Sequence, residues 1–209
     1  MRAQADGDAV RTRILDAAQE LFASAGYAGA TTREIAARAG IGKRMLFYYF
    51  PSKDAVYRAV LVRTITGMVA VHEQFRGLPG PVGLANAIEG MTQLAAANLP
   101  ALRVWLREIM DGGRHLEELA AEYLRPLFEK SSQEVARNMA AGRFRTGDPM
   151  HVLVNVGGIT LFYFMIVPLL RQLWSPDPLA PATLVERAAA ARDFVMHGLA
   201  AAGQEGASS

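Results

Sequence analysis

The 209-residue sequence predicts an all-α chain of about nine helices, with a small amino-terminal domain and a larger carboxyl-terminal body. Three observations carry this expectation. Apolar residues recur at helical spacing in almost every segment, and no stretch shows the strict two-residue alternation of a strand. Gly, Pro, Ser and Thr punctuate the chain where helices start and stop. Hydrophobic residues make up 51% of the chain and charged residues 20%, enough apolar material for a substantial interior.

The elements follow in order. A first helix is predicted over 9–25, with Ile14, Ala17, Leu21 and Phe22 on one face and Gly26 as its stop. A second begins at "TTRE", where the Thr31 side chain can accept from the Glu34 amide while the Glu34 carboxylate reaches back, a capping box. It ends at Gly40. After "GIG" comes a short third helix over 43–49, closed by Pro51, and Ser52 caps a fourth over 53–75. "RGLPGPVG" at 76–83 is the clearest break by composition. Helices then resume over 82–98, 100–110, 116–141, 149–173 and 181–202, and "GQEGASS" at the carboxyl end is expected to fray. Residues 1–53 are read as one domain and 54–209 as the other, with 54–75 as a connector helix.

The stretch "GIGKRMLFYYFPSK" at 40–53 needs a special surface, because Lys43 and Arg44 suit no core and Phe47, Tyr48 and Tyr49 suit no solvated face. Two short helices joined by a Gly-containing turn make a helix-turn-helix, whose second helix enters the DNA major groove. Leu46 and Phe50, with Ile41 a turn earlier, form the face that holds the helix against its neighbours. Lys43, Arg44, Phe47 and Tyr48 then face outward. Arg44 suits a bidentate bond to guanine, Lys43 a guanine or a phosphate, Phe47 a thymine methyl, and Tyr48 a base or phosphate. Thr32, Arg33, Tyr49 and Lys53 fall where they meet the flanking backbone. Residues 1–53 carry eight Lys/Arg against five Asp/Glu, a surplus of three, while the whole chain has a net charge of only +2.

"GYAGATTREIAARAGIGKRMLFYYFPSKDAVYRAVL" resembles the amino-terminal domain of TetR-family transcriptional regulators, over about 11–61. The Gly-aromatic pair after helix one, the "TTREIA" start, the "AG" turn, the aromatic cluster and the following Lys all align. By that resemblance Thr32, Arg33, Lys43, Arg44, Phe47, Tyr48, Tyr49 and Lys53 occupy the DNA-contacting positions. Three positions depart from the family pattern, one of them Tyr49, where His is frequent. Gly42 stands where Ser is usual, so the third helix loses a side-chain cap. Phe47 stands where Tyr is usual, without the hydroxyl that would reach phosphate.

The same resemblance implies a homodimer through the last two long helices and a small-molecule effector held among the middle ones. Leu184, Ala188, Ala191, Val195 and Leu199 make an apolar stripe on the final helix, with small residues that admit a partner. Met91, Trp105, Met110, Tyr123, Phe128, Met139, Phe162 and Phe164 are candidates to line an apolar cavity for a hydrophobic or aromatic effector, though at such spacings these types also serve as plain core. Arg103, Arg107 and Glu108 are candidate polar anchors, or solvated pairs.

Other classes find little support. The sequence holds no Gly-rich phosphate loop, nucleophile elbow or paired acid and base, so neither catalytic residues nor a cofactor are expected. His72, His115, His151 and His197 lie far apart and cysteine is absent, so no metal site is expected, and the composition fits a reducing cytoplasm. "MRAQADGD" has no apolar run of the secretory kind. Residues 152–170 are uncharged and near the length of a bilayer span, but Asn155, Gly157, Gly158 and Pro168 interrupt them, which favours a buried helix. The reading is therefore a cytoplasmic, ligand-responsive repressor on a palindromic operator. A helical enzyme with a DNA-binding head, or a constitutive DNA-binding protein with a filled core, remains as an alternative.

Overall fold

The computed structural model describes residues 2–75, 77–78 and 80–200, all of its regular structure helical. The helices are α1 (Arg2–Gly29), α2 (Thr32–Arg38), α3 (Lys43–Tyr49), α4 (Lys53–Phe75), α5 (Gly80–Ala97), α6 (Leu99–Met110), α7 (Leu116–Leu119), a π-helical turn (Ala120–Leu124), α8 (Arg125–Ala140), α9 (Pro149–Met165), α10 (Val167–Leu173) and α11 (Pro181–Leu199). The predicted tail "GQEGASS" and the last residues of the predicted final helix lie outside the described residues.

Three departures from the sequence reading have physical causes. Helix α1 starts at Arg2 rather than near residue 9, because the added turns carry no apolar period to betray them. It is interrupted at Gly26, the stop the sequence predicts, where φ is 73°, a value that favours glycine. The helix expected over 116–141 is divided by the π turn just before Pro126, whose missing N–H and ring displace the hydrogen-bond ladder by one residue. The helix expected over 149–173 breaks at Ile166, where Pro168 can donate nothing to the carbonyl four residues back, and α9 and α10 meet at 66°. Among the described residues no single helix is long and apolar enough to cross a membrane, and only this bent pair matches by length and composition.

The chain packs as two compact units, residues 1–66 with 98–119 and residues 67–97 with 120–209. In the first, Ile14, Phe22, Ile35, Leu46, Val56, Val60, Leu61 and Ile65 are excluded from solvent. Helix α6 belongs to this unit, burying Val104 and Trp105. Polar contacts tie it to α1: Gln19 donates to the Asn98 side chain at 2.6 Å, and Arg107 donates to the Phe22 carbonyl at 3.1 Å. Arg63 of α4 donates to Asp16 and Gln19 of α1, each at 2.7 Å.

In the second unit Ile88, Val135, Phe144, Val152, Ala191, Val195 and Leu199 form one core. Asn138, fully buried, is held by the Glu134 carbonyl at 2.8 Å and the Arg143 guanidinium at 2.6 Å. Gly80 packs so closely on it that a Cβ would fall 1.9 Å from the amide oxygen. This core corrects one expectation. The small-residue stripe of α11 (Ala188, Ala191, Val195, Leu199) faces its own unit rather than a partner, since α5 needs that close approach to bury Ile88. The large apolar side chains that α11 exposes are Val185 and Phe194.

Candidate nucleic-acid interface

The helix-turn-helix is built from caps. Thr31 accepts from the Glu34 amide at 3.2 Å, and Glu34 accepts from the Thr31 amide at 2.9 Å, closing the predicted box. The Thr31 hydroxyl also donates to the Glu34 carboxylate at 2.6 Å, and this bond first, then that from the Thr31 amide, holds the Glu34 carboxyl below its ordinary range. At the other end of α2 the Gly40 amide donates to Ala37 and the Ile41 amide to Ala36, with Gly40 at φ 68°. Gly42 then starts α3 with no side-chain cap; its carbonyl accepts from the Met45 and Leu46 amides.

Burial divides α3 as expected. Leu46 is fully buried and Phe50, just past the helix, is 3% exposed. Lys43, Arg44, Phe47 and Tyr48 are exposed, Tyr48 to 80%. Tyr49 is half-buried, its ring edge-on to Tyr48 at 5.3 Å. The Lys43 ammonium lies 5.6 Å from the Phe47 ring centroid, so the cation and the aromatic form one surface. Thr32 is half-buried and Arg33 exposed, both in the first turn of α2. Lys53 starts α4 with its ammonium 4.4 Å above the Tyr27 ring and 3.5 Å from the Ala28 carbonyl. The sequence reading missed Met45, 47% exposed on the outer face. Its place next to Arg44 and three residues before Tyr48 was the available signal.

The effector candidates separate. Trp105 (buried) and Met110 (66% exposed) belong to the first unit, the other six to the second. There Phe164 is buried edge-on to Tyr163 at 5.4 Å, Met139 packs on the core, and Met91, Tyr123 and Phe128 are half-buried. Phe162 is exposed to 53%. Exposure therefore removes Met110 and Phe162 from any enclosed lining within their own units. Arg103 is exposed, whereas Arg107 and Glu108 are built into the packing of the first unit rather than forming a solvated pair.

A cationic and aromatic helix, braced from behind and presented by a capped helix and a tight turn, defines a sequence-reading DNA-binding protein. Residues 14–60 match the model of the tetR family of bacterial regulatory proteins, and residues 81–195 that of a tetracyclin repressor-like C-terminal domain. The chain belongs to the TetR family and is a DNA-binding transcriptional regulator. It is 29% identical over 161 residues to the HTH-type transcriptional regulator RutR of Escherichia coli strain K12, covering 77% of this chain and 76% of that one. It is 32% identical over 143 residues to the HTH-type transcriptional repressor Rv1474c of Mycobacterium tuberculosis, covering 68% and 73%. Among solved structures it is similar to the putative transcriptional regulator SCO4942 of Streptomyces coelicolor, with a TM-score of 0.72, 26% identity and coverage of 91% and 98%.

Proposed function

We propose that this chain acts in the cytoplasm as a ligand-responsive repressor that binds a palindromic operator as a homodimer. The observation that carries the reading is the exposure of Lys43, Arg44, Phe47 and Tyr48 on a helix whose opposite face, Leu46, is wholly buried. In this reading residues 1–53 read DNA. Lys43, Arg44, Phe47 and Tyr48 meet base edges, while Thr32, Arg33, Tyr49 and Lys53 hold the backbone. Residues 54–209 hold the effector and the partner. The repressor assignment draws on the likeness to Rv1474c and on the habit of the family.

The dimer is supported by apolar side chains left in solvent on α9, α10 and α11, namely Val154, Phe162, Leu169, Val185 and Phe194. In this reading a twofold dimer offers two copies of α3 to half-sites about 34–36 Å apart, one turn of DNA. A hydrophobic or aromatic effector among Met91, Tyr123, Phe128, Met139 and Phe164 acts by preferring the form that does not bind DNA. A coupling of about 1–3 kcal/mol is typical for such a switch. Helix α4, which contributes residues to both compact units, is the lever.

Selection from random duplexes tests the reading. It should return an inverted repeat with half-sites one turn apart, and an effector that lowers affinity for it. A direct repeat, or no enrichment at all, would falsify the proposal.

A further inference from the structure

The first compact unit contains a half-open cavity of about 420 Å³, within the range of small-molecule sites. One wall is aromatic. Phe22 and Tyr27 each approach Tyr57 at 4.9 Å between centroids, at 86° and 68°. The other wall is charged, with Arg107, Glu108, Asp111 and Arg114 lining it, two cations and two anions.

Arg114 pairs with Asp54 outside the lining at 3.4 Å and lies 4.6 Å over the Tyr27 ring, but the other three charges are poorly matched. Glu108 is 4% exposed, yet its carboxylate is held only by neutral donors, the Tyr57 hydroxyl at 3.0 Å and the His115 amide at 2.9 Å. Among the described residues no cation forms an ion pair with it. The Arg107 guanidinium donates only to the Phe22 carbonyl, and the Asp111 carboxylate has no partner among the described residues. Burial, and then the bond to Glu108, push the Tyr57 phenol well above its ordinary range, so the phenol stays a donor to that carboxylate.

The rim is held in place. The Gly113 amide donates to the Glu108 carbonyl at 2.8 Å, and His115 lies 3.1 Å from Asp54 at the start of α4. Gly113 admits no side chain, since a Cβ would fall 2.1 Å from the Glu108 carboxyl carbon, and Gly112 leaves open space at the mouth.

We infer that this cavity is a binding site for a small zwitterion of the α-amino acid class with an apolar side chain. The ligand's ammonium meets Glu108 and Asp111, its carboxylate meets Arg107 and Arg114, and its side chain lies against the ring edges of Tyr27 and Tyr57, since Lys53 and Arg114 already lie over the Tyr27 ring. A singly charged ligand leaves one sign of the lining unanswered, whereas a zwitterion answers both. The site lies in the unit that carries the reading helix, apart from the effector residues proposed for the second unit.

Titration calorimetry of the full chain, without DNA, against a panel of common α-amino acids tests the inference. At least one apolar member, with L-phenylalanine as the first probe, should bind saturably at concentrations up to roughly 10 mM. Phenethylamine and 3-phenylpropionate, each lacking one charge, should bind about tenfold or more weakly. Arg107→Gln, Asp111→Asn and Arg114→Gln should each cause a loss of the same order. Asp111 and Arg114 are exposed, so their variants carry the test if Arg107→Gln fails to fold. No heat from any amino acid overturns the inference. So does equal binding by the half-charged analogues, or binding that all folded variants retain. Because DNA is absent from the experiment, its result is independent of the operator reading.

Discussion

Arg44 and Lys53 carry the same charge and should fail in different ways when removed. Arg44 projects from the outer face of α3 without an ion pair among the described residues, free for a bidentate bond to a base. Lys53 is held at the start of α4 by the Tyr27 ring and the Ala28 carbonyl, and its proposed role is to neutralise a phosphate. Arg44→Ala should cost about 1–3 kcal/mol on the operator and relax the preference at one position. Lys53→Ala should weaken every duplex alike and lower the salt slope by about one. Fluorescence anisotropy on operator and scrambled duplexes across a salt series separates the two. Equal losses on both duplexes for Arg44→Ala would remove it from base readout.

The element at stake is the turn between α2 and α3. Gly40 holds φ 68° with nothing within 4 Å of where a Cβ would stand, so the need for glycine there is purely conformational. Gly40→Ala should destabilise the chain by about 1–2 kcal/mol without any steric clash. Gly42 is the opposite case. Its backbone already has the extended geometry of a cap (φ −75°, ψ 151°), and its Cβ position is open. Gly42→Ser should therefore add a few tenths of a kcal/mol by supplying the side-chain bond that α3 lacks. Urea unfolding of the two variants should move in opposite directions, and a stabilising Gly40→Ala would contradict the backbone account. Both glycines stand in "AGIG", so the turn was legible. The π turn and the break at Ile166 were signalled only by Pro126 and Pro168, because a helical period survives a local shift of the ladder.

For the whole molecule the decisive question is what covers α9, α10 and α11. Phe162 and Phe194 are exposed to 53% and 73%. A pair of apolar groups this large in solvent is the expected footprint of a second copy. Replacing both with Glu should leave the fold intact, convert the proposed dimer to a monomer in sedimentation equilibrium, and abolish binding to the proposed paired operator. A variant that remains dimeric would place the interface elsewhere. The packing of the small stripe of α11 inward was invisible beforehand. Small apolar residues at helical spacing admit any close neighbour, and nothing local says whether that neighbour is α5 of the same chain or a partner.

The residues alone specified whatever depends on short-range geometry. The Thr31–Glu34 box, the Gly40 turn, the inward Leu46 and the outward Lys43, Arg44, Phe47 and Tyr48 all lie within one or two helical turns of the atoms that govern them. Tertiary packing decided the rest. It brought α6 into the first compact unit and turned Arg107 and Glu108 into the wall of a cavity, with partners on α1 and α4. It also left Met110 and Phe162 in solvent rather than in a lining. These outcomes depend on contacts between residues 50 or more positions apart, and helical periodicity reports that a face is apolar without naming what it meets.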